Sequence, residues 1–202
     1  MKKHLVLASA SPRRKELLEQ VGLEFEVFPA KGEENLAEEN PAALVKGLAL
    51  QKALEVCEHY MTKIDMGLDT WVFLGADTVV AKDSVILGKP KDEEDAYRML
   101  SGLQGAAHSV YTGVALIAVE QGKIKWKSNF CAETRVEMYP MNDKEIRDYI
   151  ASKEPMDKAG AYAIQGKCAA FIKGIVGEYS TVVGLPVGQV YKELKNHGFM
   201  RD

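Results

Sequence analysis

LVLASASPRRKELL, residues 5–18, is the stretch around which the chain is organised. Leu5, Val6 and Leu7 form a short apolar run that reads as a buried strand. Small residues follow from Ala8 to Ser11, then Pro12 at a first helical position and a helical pattern through Leu17, Leu18 and Val21 that ends at Gly22. Ser11 is the expected N-cap. Arg13 and Arg14 fall in the first helical turn, the electropositive end of the helix dipole, where acids are normally preferred. A strand, a small-residue turn and a helix start with paired arginines suit a polyphosphate: backbone N–H groups point at the anion and guanidinium forks grip its oxygens. A solvated basic helix start is the alternative reading, and the local pattern alone does not separate the two.

Working outward, Phe25–Phe28 reads as a second strand and 29–39 as a polar, acidic loop containing Glu33 and Glu34. Asn40 and Pro41 start a helix predicted to run to about Tyr60. In it Lys52 follows Leu48 by four residues and precedes Val56 by four, so it projects from the apolar stripe. Its stem can snorkel along the core edge, or its ammonium can aim into a cleft. Residues 71–81, WVFLGADTVVA, form an apolar strand around one carboxylate, Asp77. Unpaired in a buried strand, that carboxylate would cost several kcal/mol. Either a cation partners it or the strand opens onto a cleft there. A hairpin through Val85–Leu87 leads to Gly88-Lys89-Pro90, and Asp92 caps the next helix, which carries Glu93, Glu94 and Asp95 in its first turn.

Long β patterns at 108–119 and 123–139, joined at Gln121-Gly122, read as an antiparallel pair. Asn142 and Glu145 have the spacing of a capping box for a helix to about Ser152. EPMDKAGAYAIQG, 154–166, is dense in small, polar and charged residues, as binding loops on a rigid scaffold are. A strand at 168–175 and a final helix at 187–196 complete the reading.

The chain has 202 residues and a net charge of −3, which argues against general nucleic-acid binding while allowing a local cationic pocket. The basic N-terminus has too short an apolar run for a signal peptide, and no segment approaches the roughly 20 apolar residues of a membrane span. Cys57, Cys131 and Cys168 lack metal-ligand spacing and suit reduced thiols in the cytoplasm; the histidines form no cluster, so zinc is not expected. There is no Walker A sequence, no dinucleotide glycine fingerprint and no Gly-x-Ser-x-Gly elbow, so kinase, dehydrogenase and serine-hydrolase readings lack their parts.

What remains is a donor set of Ser9, Arg13, Arg14, Lys52 and Lys89, with Asp77 and Glu33 or Glu34 as acids. Cations to neutralise phosphates and carboxylates to hold a hard divalent ion are the parts for metal-assisted chemistry on a nucleoside triphosphate. Spacing alone supports an anion-binding α/β enzyme of hydrolytic type.

LASASPRRKELL, LALQKA, GADTVV, LGKP, HSVYTGVAL, EPMDKAGAYAIQG and VVGLP occur in the order seen in the Maf family of nucleotide pyrophosphatases, and the resemblance runs from about Leu5 to Leu194. It implies an α/β fold like that of inosine-triphosphate pyrophosphatase, a long mixed sheet shared by two lobes around a central cleft, with residues 1–202 as a single domain. It implies hydrolysis of a nucleoside triphosphate to the monophosphate and pyrophosphate with a divalent metal, Mg²⁺, Mn²⁺ or Co²⁺. By resemblance Asp77 is the proton acceptor and a metal ligand, and Lys52 and Lys89 are the family's two lysines. Ser9, Arg13 and Arg14 bind phosphate, and Glu34 matches the acid of the loop after the second strand. That loop departs from the usual pattern, reading Lys31-Gly32-Glu33-Glu34, so either glutamate can be the ligand. EPMDKAGAYAIQG resembles the branch acting on dTTP and UTP, with Arg13, Thr78 and Gln165 at its specificity positions. A homodimer that binds a small-molecule nucleotide, and neither nucleic acid nor membrane, is the expectation; modified pyrimidine triphosphates are further candidate substrates. A nucleotide-sensing, division-regulating binding protein with incidental hydrolysis is the alternative.

Overall fold

The computed structural model describes residues 2–33, 36 and 38–200. Its central sheet has seven strands, in the order β2-β1-β3-β5-β6-β7 with β4 paired to β3. The strands are β1 (Lys3–Leu7), β2 (Glu26–Val27), β3 (Thr70–Lys82), β4 (Val85–Leu87), β5 (Ala107–Glu120), β6 (Lys123–Met138) and β7 (Ile172–Val176). The helices are α1 (Pro12–Gln20), α2 (Pro41–Lys63), α3 (Glu93–Leu103), α4 (Asp143–Ala151), α5 (Tyr179–Val183) and α6 (Val187–Asn196). β1 runs parallel to β2 and β3, whereas β4 is antiparallel to β3 and β7 antiparallel to β6. The sheet is therefore mixed and the fold α/β, as expected. No helix among the described residues is long and apolar enough to cross a membrane.

Two compact units divide the chain: 1–77, 112–132 and 184–202 form one, and 78–111 with 133–183 the other. β3, whose residues 70–77 belong to the first unit, is buried almost throughout, which its apolar sequence requires of a strand covered on both faces. α2 lays Ala49, Ala53, Val56, Cys57 and Tyr60 against Val6, Phe73, Ala115 and Ile117. The approach is close because two strand positions carry no side chain. A Cβ at Gly75 would overlap the Ala49 carbonyl and stand 2.8 Å from Ala53 N, and one at Gly113 would overlap the Val45 carbonyl. Asn40 caps α2 by accepting from Ala43 N at 3.0 Å.

In the second unit α3 packs against α4 and against the 3-10 turn Ala159–Ala161. Asp92 caps α3 through Asp95 N at 2.7 Å, and Asn142 and Glu145 form the expected capping box on α4. The β3–β4 hairpin turns at Asp83 and Ser84, both at positive φ, as a two-residue turn between antiparallel strands demands.

Several expectations need correction. The second strand shrinks to Glu26–Val27, since only Val6 and Leu7 of β1 pair with it. Ser11 occupies the N-cap of α1 in extended geometry but makes no side-chain cap bond; its own N–H donates to Ser9 Oγ at 3.2 Å. Cys168 lies on a 3-10 turn, Lys167–Phe171, and the strand predicted from it begins only at Ile172. α5 was not expected, and α2 continues past Tyr60 to Lys63.

Candidate active site

The first unit brings two pairs of predicted residues together. Lys52 Nζ lies 2.6 Å from Asp77 Oδ1, with both side chains largely buried. This is the cation that the lone strand carboxylate called for: α2 delivers it because Ala49 and Ala53, on the same helix face, are pressed onto Gly75. Asp77 is 9% exposed, and among the described residues its Oδ2 has no partner.

The second pair sits on the β1–α1 turn. Arg14 Nη1 donates to Ser9 Oγ at 2.9 Å and Nε donates to the Gly184 carbonyl at 2.8 Å. Ser9, 8% exposed, thus accepts both from this guanidinium and from Ser11 N–H. Arg13 is half-buried on the same helical turn. The register joins the pairs: Leu7 is level with Leu74, Ala8 N donates to Leu74 O at 2.8 Å, and Asp77 lies three residues further along β3. The turn therefore leaves the sheet beside the strand segment that carries the carboxylate.

The loop after β2 is fastened to α2. Glu55 Oε1 accepts from Lys31 N at 2.7 Å and Oε2 from Gly32 N at 3.0 Å, while Gln51 Nε2 donates to the Glu33 carbonyl at 2.7 Å. Glu34, the predicted metal ligand, lies outside the described residues. An ion such as Mg²⁺ takes oxygen donors, commonly one or two carboxylates together with substrate phosphates. The open Oδ2 of Asp77 fits that chemistry.

The second unit carries Thr78, Lys89 and Gln165. Thr78 follows Asp77 directly and is half-buried. Lys89 is exposed on a loop pinned by Gly160 N, which donates to the Gly88 carbonyl at 3.0 Å. Gln165 is exposed in the turn that ends the 154–166 loop. Behind that loop, Tyr162 Oη lies 2.8 Å from His108 Nε2. Burial pushes the His108 imidazole down to about 4, with the Lys82 ammonium adding to the effect, and pushes the Tyr162 and Tyr149 phenols and the Cys168 thiol up.

Sequence reasoning missed Gly75, Glu55 and Gly184. Gly184 sits in the VVGLP segment at φ +129°, a backbone region open to glycine, so the motif was visible but its carbonyl's role was not.

An arginine-bearing helix start beside a lysine-held carboxylate on a buried strand is what this α/β protein presents in its first unit. The chain belongs to the Maf family: the family model described as Maf-like protein matches residues 4–197. A protein from Agathobacter rectalis is 52% identical over 96% of this chain and 97% of its own length. Others from Carboxydothermus hydrogenoformans and Bacillus cytotoxicus are 47% and 48% identical, over 96% of this chain in each case and 99% and 95% of theirs. All three are named dTTP/UTP pyrophosphatase. Among solved structures, a HAM1 protein from Coxiella burnetii aligns over 97% of this chain and 100% of its own at 15% identity, with a TM-score of 0.46, a distant likeness only.

Proposed function

We propose that this chain hydrolyses dTTP and UTP to the monophosphate and pyrophosphate, as its relatives' names imply. The observation that carries the reading is Asp77, a strand-borne carboxylate with Oδ1 held by Lys52 at 2.6 Å and Oδ2 without a partner among the described residues. The adjoining β1–α1 turn supplies the phosphate grip. Arg14, oriented by Ser9 and Gly184, and Arg13 neutralise phosphate charge.

In the reaction a water oxygen attacks the α-phosphorus, the bond from that phosphorus to the bridging oxygen of the β-phosphate breaks, and pyrophosphate leaves. Asp77 accepts the proton that the water gives up. Lys52 fixes the carboxylate's orientation and offsets its charge. A divalent ion held by Asp77 and by Glu33 or Glu34 would lower the water's pKa and offset phosphate charge. By resemblance Lys89, with Lys52, is one of the family's two catalytic lysines, and Arg13, Thr78 and Gln165 stand at its specificity positions. A Gln amide offers both a donor and an acceptor to the imide edge of a pyrimidine. On this reading the chain acts as one functional domain, a cytoplasmic homodimer that uses Mg²⁺, Mn²⁺ or Co²⁺ and binds no nucleic acid.

The test is pyrophosphate release from a panel of canonical and modified nucleoside triphosphates, with each metal and without metal. Turnover of dTTP and UTP that Asp77→Asn abolishes without abolishing nucleotide binding supports the proposal. Absence of release from every pyrimidine triphosphate refutes it.

A further inference from the structure

Gln165 stands on a tight turn, Ala163–Gly166, closed by Gly166 N donating to the Ala163 carbonyl at 3.1 Å. Ile164 is buried beneath the turn and Gln165 is exposed on it. Among the described residues the Gln165 amide has no hydrogen-bond partner, yet the backbone on either side is tied down. At the entry, Ala163 N donates to Tyr149 Oη at 3.0 Å. At the exit, Lys167 N donates to both carboxylate oxygens of Glu154, at 3.0 and 3.1 Å. The two anchors are themselves joined, because Tyr149 Oη–H donates to Glu154 Oε1 at 2.9 Å. Gly166 completes the arrangement, since a Cβ there would overlap the Glu154 carboxylate.

We infer that Tyr149 and Glu154 are positioning residues for base selection: joined to each other, they clasp both ends of the 163–167 segment and hold the Gln165 amide ready for a pyrimidine. The inference rests on the pyrophosphatase reading above. The physical reason is the cost of ordering a surface turn. An exposed turn with unfastened ends samples many backbone states, and each must be given up when a ligand reads the amide on its tip. Here the ordering is built in on folding by a phenol and a carboxylate that need not touch the nucleotide. A phenol is suited to the task because one oxygen donates to Glu154 while accepting from Ala163 N. Burial favours that protonated, donating form, and the Tyr149 phenol is pushed up accordingly.

The test compares Tyr149→Phe, Gln165→Ala and the double variant with dTTP, UTP and dATP as substrates. Tyr149→Phe removes one oxygen and keeps the ring in its packing. KM for dTTP and UTP is expected to rise roughly tenfold, the scale of one well-made hydrogen bond, while kcat stays within about twofold. Discrimination against dATP falls by the same factor. In the Gln165→Ala background, Tyr149→Phe adds nothing further, because the amide it served is gone. Glu154→Gln, which leaves a single oxygen to accept, is the second variant should Tyr149→Phe fail to fold, and the same pattern is expected of it. Equal losses on dTTP and dATP, or a double variant whose KM is the product of the two single effects, would overturn the clasp while leaving the pyrophosphatase reading intact. A wild type that turns over no pyrimidine triphosphate would overturn both.

Discussion

Replacing Lys52 by Met and Asp77 by Asn, singly and together, separates what the pair does for the fold from what it does for the reaction. At 2.6 Å the charges attract by about 6 kcal/mol at an effective dielectric of about 20, a gross figure that desolvation largely offsets. What is measured is the cost of leaving one charge behind. That cost is roughly 3–5 kcal/mol for a fully buried pair. The side chains here are 17% and 12% exposed, which places the expectation at the low end, about 3 kcal/mol for Lys52→Met, and less for Asp77→Asn because Lys52 keeps a further interaction. At about 2–4 °C per kcal/mol for a chain of this size, Tm of Lys52→Met should fall by roughly 6–12 °C. The double variant no longer leaves the Asp77 carboxylate without its cation and should melt above Lys52→Met. Activity should not follow stability: Asp77→Asn is expected to lose roughly 10²–10⁴-fold in turnover, and the double variant stays as inactive as that single variant. Melting curves and pyrophosphate release on the same preparations check both halves. Single variants that melt with the wild type, or a double variant whose loss is the sum of the two, would refute the electrostatic argument; full turnover by Asp77→Asn would refute the chemical one.

Gly75→Ala drives a methyl into the Ala49 carbonyl, so α2 must lift; the expected cost is about 1–3 kcal/mol in denaturant unfolding and about 10²-fold in turnover as Lys52 is displaced. Arg14→Lys keeps the charge but cannot span Ser9 Oγ and the Gly184 carbonyl with one planar group, and KM for dTTP should rise by at least about tenfold at near-wild-type stability. Burial pushes the His108 imidazole down from 6.5 to about 4. The folded state therefore favours the neutral ring, and its contribution is complete above the unfolded value of 6.5 and lost as pH falls toward 4. The loss is about 3 kcal/mol over that window, read as a drop in urea midpoint that His108→Gln should flatten; an unchanged slope in the variant would count against it.

Much of this was legible because long elements repeat their pattern. β3 reads as buried because apolar residues flank Asp77 on both sides, and Asp77 stands out for the same reason, so a partner cation or an opening cleft there was the alternative the sequence posed. Lys52 was one of several basic candidates; only the packing of α2 on Gly75 singles it out, and that packing is a matter of tertiary distance. The paired arginines were visible, but the choice of Arg14 for Ser9 and Gly184 depends on a carbonyl 170 residues away in the chain. α5 escaped notice because five residues scarcely exceed one helical turn and display no period. Around Cys168 the apolar neighbours suit a strand and a 3-10 turn equally, and the bond from Lys167 N to Glu154 that favours the turn is not written in local sequence. The Tyr149–Glu154 clasp was hidden for the same reason, although both residues border the loop that the motif marked.

On the proposed function, Arg14 would meet the substrate with its conformational freedom already surrendered. A long basic side chain gives up roughly 2 kcal/mol of rotamer entropy when immobilised, and in a flexible arm that loss would fall on the binding step. With Nε on the Gly184 carbonyl and Nη1 on Ser9 Oγ, it falls on folding instead. The guanidinium plane is set before any phosphate arrives, so binding at this position should show a smaller entropic penalty in calorimetry than the same contact made by an untethered arginine.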